Sequence, residues 1–209
     1  MVKNLIISPH IDDELLGCGG ILDESCHVLY CGNDESDIRD EWVMKRPSSS
    51  LRMEELYKVQ DYLGFNFTIL PNKVNKYKIQ NLISSFEKTI NKIKPQKIYV
   101  PSVSYNQDHK VVYDAAMIAL RPHDLNYFIK KVLLYEQPQI YLWNNTSYPF
   151  KPNYFIPIDI DKKINAYKLM SSQVRKYRSP ETLVSMAKIR GKQSRHKYAE
   201  AFEILRWIE

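Results

Sequence analysis

Residues 8–20 read SPHIDDELLGCGG, and residues 101–109 read PSVSYNQDH. His10 and Asp13 are three residues apart at what reads as a strand-to-helix turn. At that spacing their side chains converge on one point. His109 opens the helical stretch after the second segment. Two imidazoles and one carboxylate, with a fourth position left to water, are the donor set of a catalytic zinc site. A structural site would close the fourth position with a protein ligand, and none of Cys18, Cys26 and Cys31 is placed to do so. Asp12 lies between the first two ligands, points elsewhere, and is free to act as a general base toward water. Glu14 falls in the first helical turn, where an acid complements the helix dipole, and it is given no chemistry. The bland alternative for His10-Ile-Asp12-Asp13 is a helix cap with a hydrogen-bonded histidine; the second loop with its own Asp108-His109 argues against it.

The elements that must bring these loops together alternate. Apolar runs at 3–8, 26–31, 66–70, 97–102 and 130–137 read as buried strands. Helical spacing covers 14–25, 50–65, 78–94 and 108–121, with Gly64, Pro95 and Pro122 as stops. The end of the chain, about 161–175 and 180–208, also reads as helical. This alternation predicts a Rossmann-like three-layer α/β sandwich with a mostly parallel sheet, formed as one domain over 1–209. Ligands in such sheets collect beyond the carboxyl ends of the strands, so both polar loops should face one crevice. Gly17, Gly19 and Gly20 imply a close approach of backbone or substrate. As a dinucleotide motif they fit poorly, because they fall inside the helix and the carboxylates before them would repel a pyrophosphate.

Composition narrows the class. The 209 residues are 44% hydrophobic and 26% charged, the balance of a soluble globular protein. The first apolar run is too short for a signal peptide, and none reaches a membrane span, so a cytoplasmic protein is expected. Three cysteines make no disulfide framework and are expected reduced and half-buried. The net charge of +6 is concentrated late, in RKYRSP (175–180) and KIRGKQSRHK (188–197). Such a region attracts phosphate or is a solvated helix face; no nucleic-acid-binding motif accompanies it.

These residues resemble a known family. PHIDDELLGCGG (9–20) is similar to the P-H-x-D-D-E-x-x-G-C-G-G motif of the PIG-L (LmbE-like) N-deacetylases. LRMEELYKVQDYLGF (51–65) carries the family's R-x-x-E, and NQDHKVVYDAAMIALRP (106–122) resembles its second metal motif. YEQP, FKPNYFIPIDI, SSQ, IRG and YAEAFEI resemble later segments of its sugar-directed members. The resemblance implies one zinc ion per chain on His10, Asp13 and His109, with Asp12 as base and Arg52 as a substrate contact. A pair between Arg52 and Glu54 or Glu55 along the helix is the plainer alternative. It also implies hydrolysis of an N-acetyl group on an N-acetylglucosamine-type amino sugar, free or joined to a nucleotide or carrier. A deacylase of a glycosylated thiol or antibiotic precursor, and a metal- or sugar-binding module without turnover, are the alternatives.

Where many relatives have a histidine three residues before the last ligand, this chain has Asn106, which can donate a hydrogen bond to an oxyanion but cannot deliver a proton. Asp12 and Tyr105 are then the candidate proton donors. Asp108 is expected to hold His109 or Asn106. His27, His123 and His196 are read mainly as structural or solvated. Tyr135, Trp143 and Tyr148 are aromatic candidates for either the pocket or the core. The partner implied is a small amino sugar, with no nucleic acid and no membrane span; a homo-oligomer is left open.

Overall fold

The computed structural model describes residues 2–33, 49–139 and 149–209. Seven strands form one sheet: β1 (Asn4–Ser8), β2 (Cys26–Tyr30), β3 (Asn66–Ile69), β4 (Lys97–Pro101), β5 (Lys131–Tyr135), β6 (Tyr154–Pro157) and β7 (Ala199–Trp207). Their order is β3-β2-β1-β4-β5-β7-β6. β1 to β5 are mutually parallel, and β7 runs antiparallel between β5 and β6. The expected α/β sandwich with a mostly parallel sheet is what forms.

Six described helices cover the two faces: α1 (Asp13–Cys18), α2 (Ser49–Leu63), α3 (Ile79–Ile93), α4 (Gln107–Ala119), α5 (Ile160–Leu169) and α6 (Pro180–Gln193). Strand residues alternate between faces, as the pleat requires. Ile6, Val28, Tyr30, Tyr99 and Leu133 pack with Leu15, Leu56, Val59, Ile164 and Leu183 from α1, α2, α5 and α6. Leu5, Ile7, Ile98, Val100 and Leu134 pack on the other side with Leu82, Phe86, Val112 and Ala116 from α3 and α4. Both strand faces are therefore apolar, which is why the strands read as unbroken hydrophobic runs.

The chain lays β1, β2 and β3 outward in one direction, then returns to place β4 on the other side of β1. The order reverses between β1 and β4. Loops leaving the carboxyl ends of those two strands must diverge, and a crevice opens between them. The loops are 9–12 and 102–106.

Two sequence expectations need correction. Residues 14–25 do not form one helix: α1 ends at Cys18, where Gly19 and Gly20 lead into turns. The stretch 180–208 is not helical throughout, because 199–207 is β7. Ala, Glu and Leu in AEAFEILRW favour a helix on intrinsic propensity, but two strands with free edges flank this segment and take up its backbone groups. β6 is a further strand with no counterpart in the sequence expectations. The cysteines are free, as expected, but fully rather than half buried.

The glycines of α1 serve packing. A Cβ on Gly17 would clash with the Tyr135 ring and lie 2.7 Å from the Glu136 carbonyl oxygen. Gly17→Ala should therefore cost about 2 kcal/mol through overpacking, read as a lower urea midpoint; an unchanged midpoint would contradict the close α1–β5 contact.

Candidate metal centre

The loop after β1 is braced at both ends. Tyr77 donates its hydroxyl to the Pro9 carbonyl at 2.7 Å, and Ser8 Oγ donates to the His10 carbonyl at 2.7 Å. Gln137 Nε2 donates to the Asp13 carbonyl at 3.3 Å. On the second loop, Asn106 caps α4: its Oδ1 accepts the Asp108 N–H at 2.8 Å. That cap sets the first turn of α4, so His109 turns inward and is 1% exposed.

The two loops meet on one carboxylate. Asp13 Oδ2 lies 3.0 Å from His10 Nδ1 and 3.1 Å from His109 Nε2. One donor atom from each of the three residues falls within 4.8 Å of the others. Zinc with bonds of 2.0–2.1 Å to tetrahedral N and O ligands would separate neighbouring donors by roughly 3.3 Å, so the spacing and the donor types fit a small borderline-soft divalent cation. Asp108 Oδ2 sits 3.0 Å from His10 Nε2 and also accepts the Asn75 N–H at 2.8 Å. Asp108 therefore orients His10, rather than the expected His109; toward Asn106 only its backbone N–H bonds. A carboxylate on the far ring nitrogen fixes the tautomer and raises the basicity of the ligating one.

The charges follow. Burial alone would depress His10, but hydrogen bonds to Asp108 and Asp13 outweigh it and bring its pKa up to about 10. Burial would likewise raise Asp13, and the neighbouring His109 and His10 instead hold it well below the ordinary carboxylate range. A cation on these atoms would compete with the proton on His10.

Asp12 faces the same cavity, of about 270 Å³, lined also by Arg52, Asn75, Asn106, Gln139, Gln173, Arg175, Tyr177 and Arg178. Its Oδ2 accepts Arg178 Nη1–H at 2.7 Å and lies 3.9 Å from Arg52 Nη1. Burial would lower the Arg178 pKa; Asp12 opposes it and the net shift is upward. Arg178 is itself held, since Tyr167 donates its hydroxyl to the Arg178 carbonyl at 2.8 Å. Arg52 stands at the site rather than in the alternative pairs: Glu54 bonds Lys58 at 2.6 Å, and Glu55 accepts Ser171 Oγ–H at 3.1 Å and the Ser172 N–H at 2.8 Å. Glu55 thereby ties the 171–178 segment to α2.

Tyr105 is 55% exposed and is not among the residues lining the cavity, so it stands apart from the ligands. His27 bonds Thr68 Oγ1 at 2.9 Å, His123 sits against Asn126, and His196 is exposed; none lines the cavity. Tyr135 is a core residue whose hydroxyl donates to the Ile7 carbonyl at 2.9 Å. Trp143 and Tyr148 lie outside the described residues. Sequence reasoning missed Arg178, Arg175, Gln173 and Gln139 as site residues. The only signals were the basic RKYRSP run and the SSQ glutamine, and neither carries a spacing that points to a site.

Glu14 is fully buried behind the loop, where its Oε2 accepts the Asp12 N–H at 3.1 Å and lies 3.2 Å from Ser8 Oγ. Burial, then the charge of Asp12, push its pKa up to about 8. An acid whose folded pKa is raised binds protons more tightly when folded, so its contribution to stability falls as pH climbs from about 4.5 to 8. Metal-free Glu14→Gln should lose that part of the fall, so that mutant and wild type diverge with pH in urea titrations at pH 5 and 8; parallel profiles would contradict it.

Among curated proteins none matches the chain. N,N'-diacetylchitobiose deacetylase from Pyrococcus horikoshii superposes with a TM-score of 0.79 at 19% identity, covering 98% of this chain and 84% of that one. A zinc-inhibited form of teicoplanin deacetylase superposes at 0.73 and 16% identity, covering 98% of each chain. The 4-carboxy-2-hydroxymuconate hydratase from Pseudomonas putida KT2440 superposes at 0.76 and 19% identity, covering 100% and 99%. At such identities these likenesses establish the fold, which carries more than one chemistry. The family model described as PIG-L, GlcNAc-PI de-N-acetylase, matches residues 5–120, which include both metal-site loops and over half of the chain. The chain belongs to the PIG-L family of de-N-acetylases.

Proposed function

We propose that this protein hydrolyses the N-acetyl amide of an N-acetylated amino sugar or its conjugate, with zinc as its resident ion. The observation that carries the reading is the convergence of His10, Asp13 and His109 on one point with Asp12 beside them in a single cavity. A cation held by the three ligands supplies Lewis acidity toward the amide carbonyl and toward water.

The remaining steps belong to the chain. Arg178 occupies Asp12 Oδ2, which leaves Oδ1 to take the proton as water attacks the carbonyl carbon. The short, charge-assisted bond keeps the carboxylate from rotating away from that task. Asn106 Oδ1 is committed to the α4 cap, so its Nδ2 hydrogens are the ones available to the carbonyl oxygen as negative charge builds there. Asp12 then returns its proton to the leaving nitrogen, giving acetate and the free amine. One carboxyl serving first as base and then as acid removes the need for the histidine that Asn106 replaces.

Asp12→Asn should retain zinc yet lose acetate release by about 10²–10⁴-fold; near-normal turnover would refute the base assignment. His10→Ala should lose bound zinc by elemental analysis and activity with it, because two ligands do not hold the ion tightly; a fully metallated, active mutant would refute that ligand. The panel for both is zinc-loaded protein with N-acetylated amino sugars, free and glycosidically joined to neutral or acidic groups. Zinc without acetate from any of them would overturn the substrate class.

A further inference from the structure

The connection between β3 and α3, residues 70–78, leaves the edge of the sheet and turns back across the carboxyl ends of β2 and β1 to reach the start of α4. Its path is pinned along the way. The Leu70 N–H donates to the Tyr30 carbonyl at 2.9 Å, and Asn72 Nδ2 donates to the Cys31 carbonyl at 2.8 Å. The Asn33 N–H donates to the Asn72 carbonyl at 3.2 Å. A Cβ on Gly32 would lie 2.7 Å from that carbonyl oxygen, so glycine is what lets the segment lie this close to the end of β2. Further on, Tyr77, itself buried, donates its hydroxyl to the Pro9 carbonyl at 2.7 Å, and the Asn75 N–H donates to Asp108 Oδ2 at 2.8 Å. Residues 75 and 77 thus touch both sides of the crevice. One bond reaches the loop that carries His10 and Asp13, and the other reaches the turn that carries Asp108 and His109.

The bond to Asp108 depends on an uncommon backbone. Asn75 has φ 65°, in the left-handed region that is costly for most L residues and that asparagine tolerates. Gln107 Nε2 donates to Asn75 Oδ1 at 3.2 Å and holds the residue from the α4 side. The oxygen that accepts the Asn75 N–H is also the one 3.0 Å from His10 Nε2. Two donors on one oxygen fix its place, and its place fixes the His10 ring. Asn75 is not one of the three clustered donors, so it acts on them through Asp108.

We propose that this segment presets the metal site, with Asn75 and Tyr77 as positioning residues that hold the β1 loop and α4 at the ligand spacing before the cation arrives. A cation that finds its donors already in place binds more tightly than one that must assemble them. The proposal rests on the reading of His10, Asp13 and His109 as ligands of zinc.

The test is the zinc affinity of the full chain, measured by competition with a chromogenic chelator at fixed pH, with the urea midpoint of the metal-free protein measured alongside. Asn75→Ala should bind zinc about tenfold or more weakly, because alanine leaves the left-handed region and takes the N–H from Asp108. Asn75→Gly, for which that backbone is open, should stay within about threefold of wild type. Tyr77→Phe keeps the ring, loses the bond to Pro9, and should bind about tenfold more weakly. A segment that only supports the fold would lower the urea midpoint and leave the zinc affinity of the folded protein unchanged; that result, or equal losses in Asn75→Ala and Asn75→Gly, would overturn the proposal. Asp108→Ala should itself weaken binding, and Asn75→Ala should add little in that background; full additivity would remove the route through Asp108. Should Asn75→Ala not fold, Gln107→Ala at the exposed end of the same contact should weaken binding about threefold, and an unchanged affinity there would count against the proposal. Acetate release separates the two ideas. Zinc affinity that depends on Asn75 and Tyr77, without acetate from any amino sugar, leaves the positioning role standing and removes the deacetylase reading. Acetate release with zinc affinity indifferent to both residues does the reverse, and a wild type that takes up no zinc removes both.

Discussion

Asp13 is a buried carboxylate that two imidazoles approach to about 3 Å, one from its own loop and one from a loop almost a hundred residues away. Taking such a charge out of water is costly unless it is paired and hydrogen-bonded. The pairing depends on the β1 and β4 loops arriving at the same place, and that depends on β4 lying beside β1. The reversal in strand order therefore does more than shape a crevice. It sets a long-range condition that the charge at its base makes energetically sharp: a shift of β4 by one strand position would strand Asp13 without His109 and His10 without Asp108.

Around that point the protein arranges its polar groups in layers. The ligands are oriented by Asp108, which is held by the Asn75 backbone. Asp12 is oriented by Arg178, whose backbone is held by Tyr167. The late segment that supplies Arg175 and Arg178 contributes no strand and only short turns, yet Glu55 on α2 fastens it over the cavity. The His10, Asp13 and His109 cluster thus comes from strand-end segments near the middle of the sheet, and the arginine side of the cavity comes from a clamped late segment.

The first half was legible in the sequence and the second was not, for a physical reason. His10, Asp12 and Asp13 are neighbours in the chain, and their convergence follows from local geometry; His109 follows from the rule that strand carboxyl ends share a crevice. Arg178 reaches Asp12 across 166 residues and through two short turns that have no periodicity. Nothing local distinguishes it from Arg195, which is exposed. β7 was hidden for a related reason. Its residues favour a helix in isolation, and only the free edges of β5 and β6 make it a strand. The glycines of the first motif had a local signal whose meaning was global: Gly17 permits α1 to lie against Tyr135 and Glu136, and Gly20 permits the following turn to lie against Ile158.

Asn106 shows how the layers constrain one another. A histidine there could move protons but would leave the first turn of α4 without its present cap, since it is the asparagine oxygen that accepts the Asp108 N–H. That turn positions both Asp108, which holds His10, and His109, which meets Asp13. With the Asn106 oxygen committed to the cap, the proton transfer proposed above would fall to Asp12, whose carboxylate must then stay in place while its protonation changes. Arg178 meets that requirement, because a guanidinium remains charged throughout and keeps hold of one oxygen whether or not the other carries the proton. The residue at 106 and the arginine at 178 thus each fix one side of the same cavity, the first through the α4 cap and the second through its bond to Asp12.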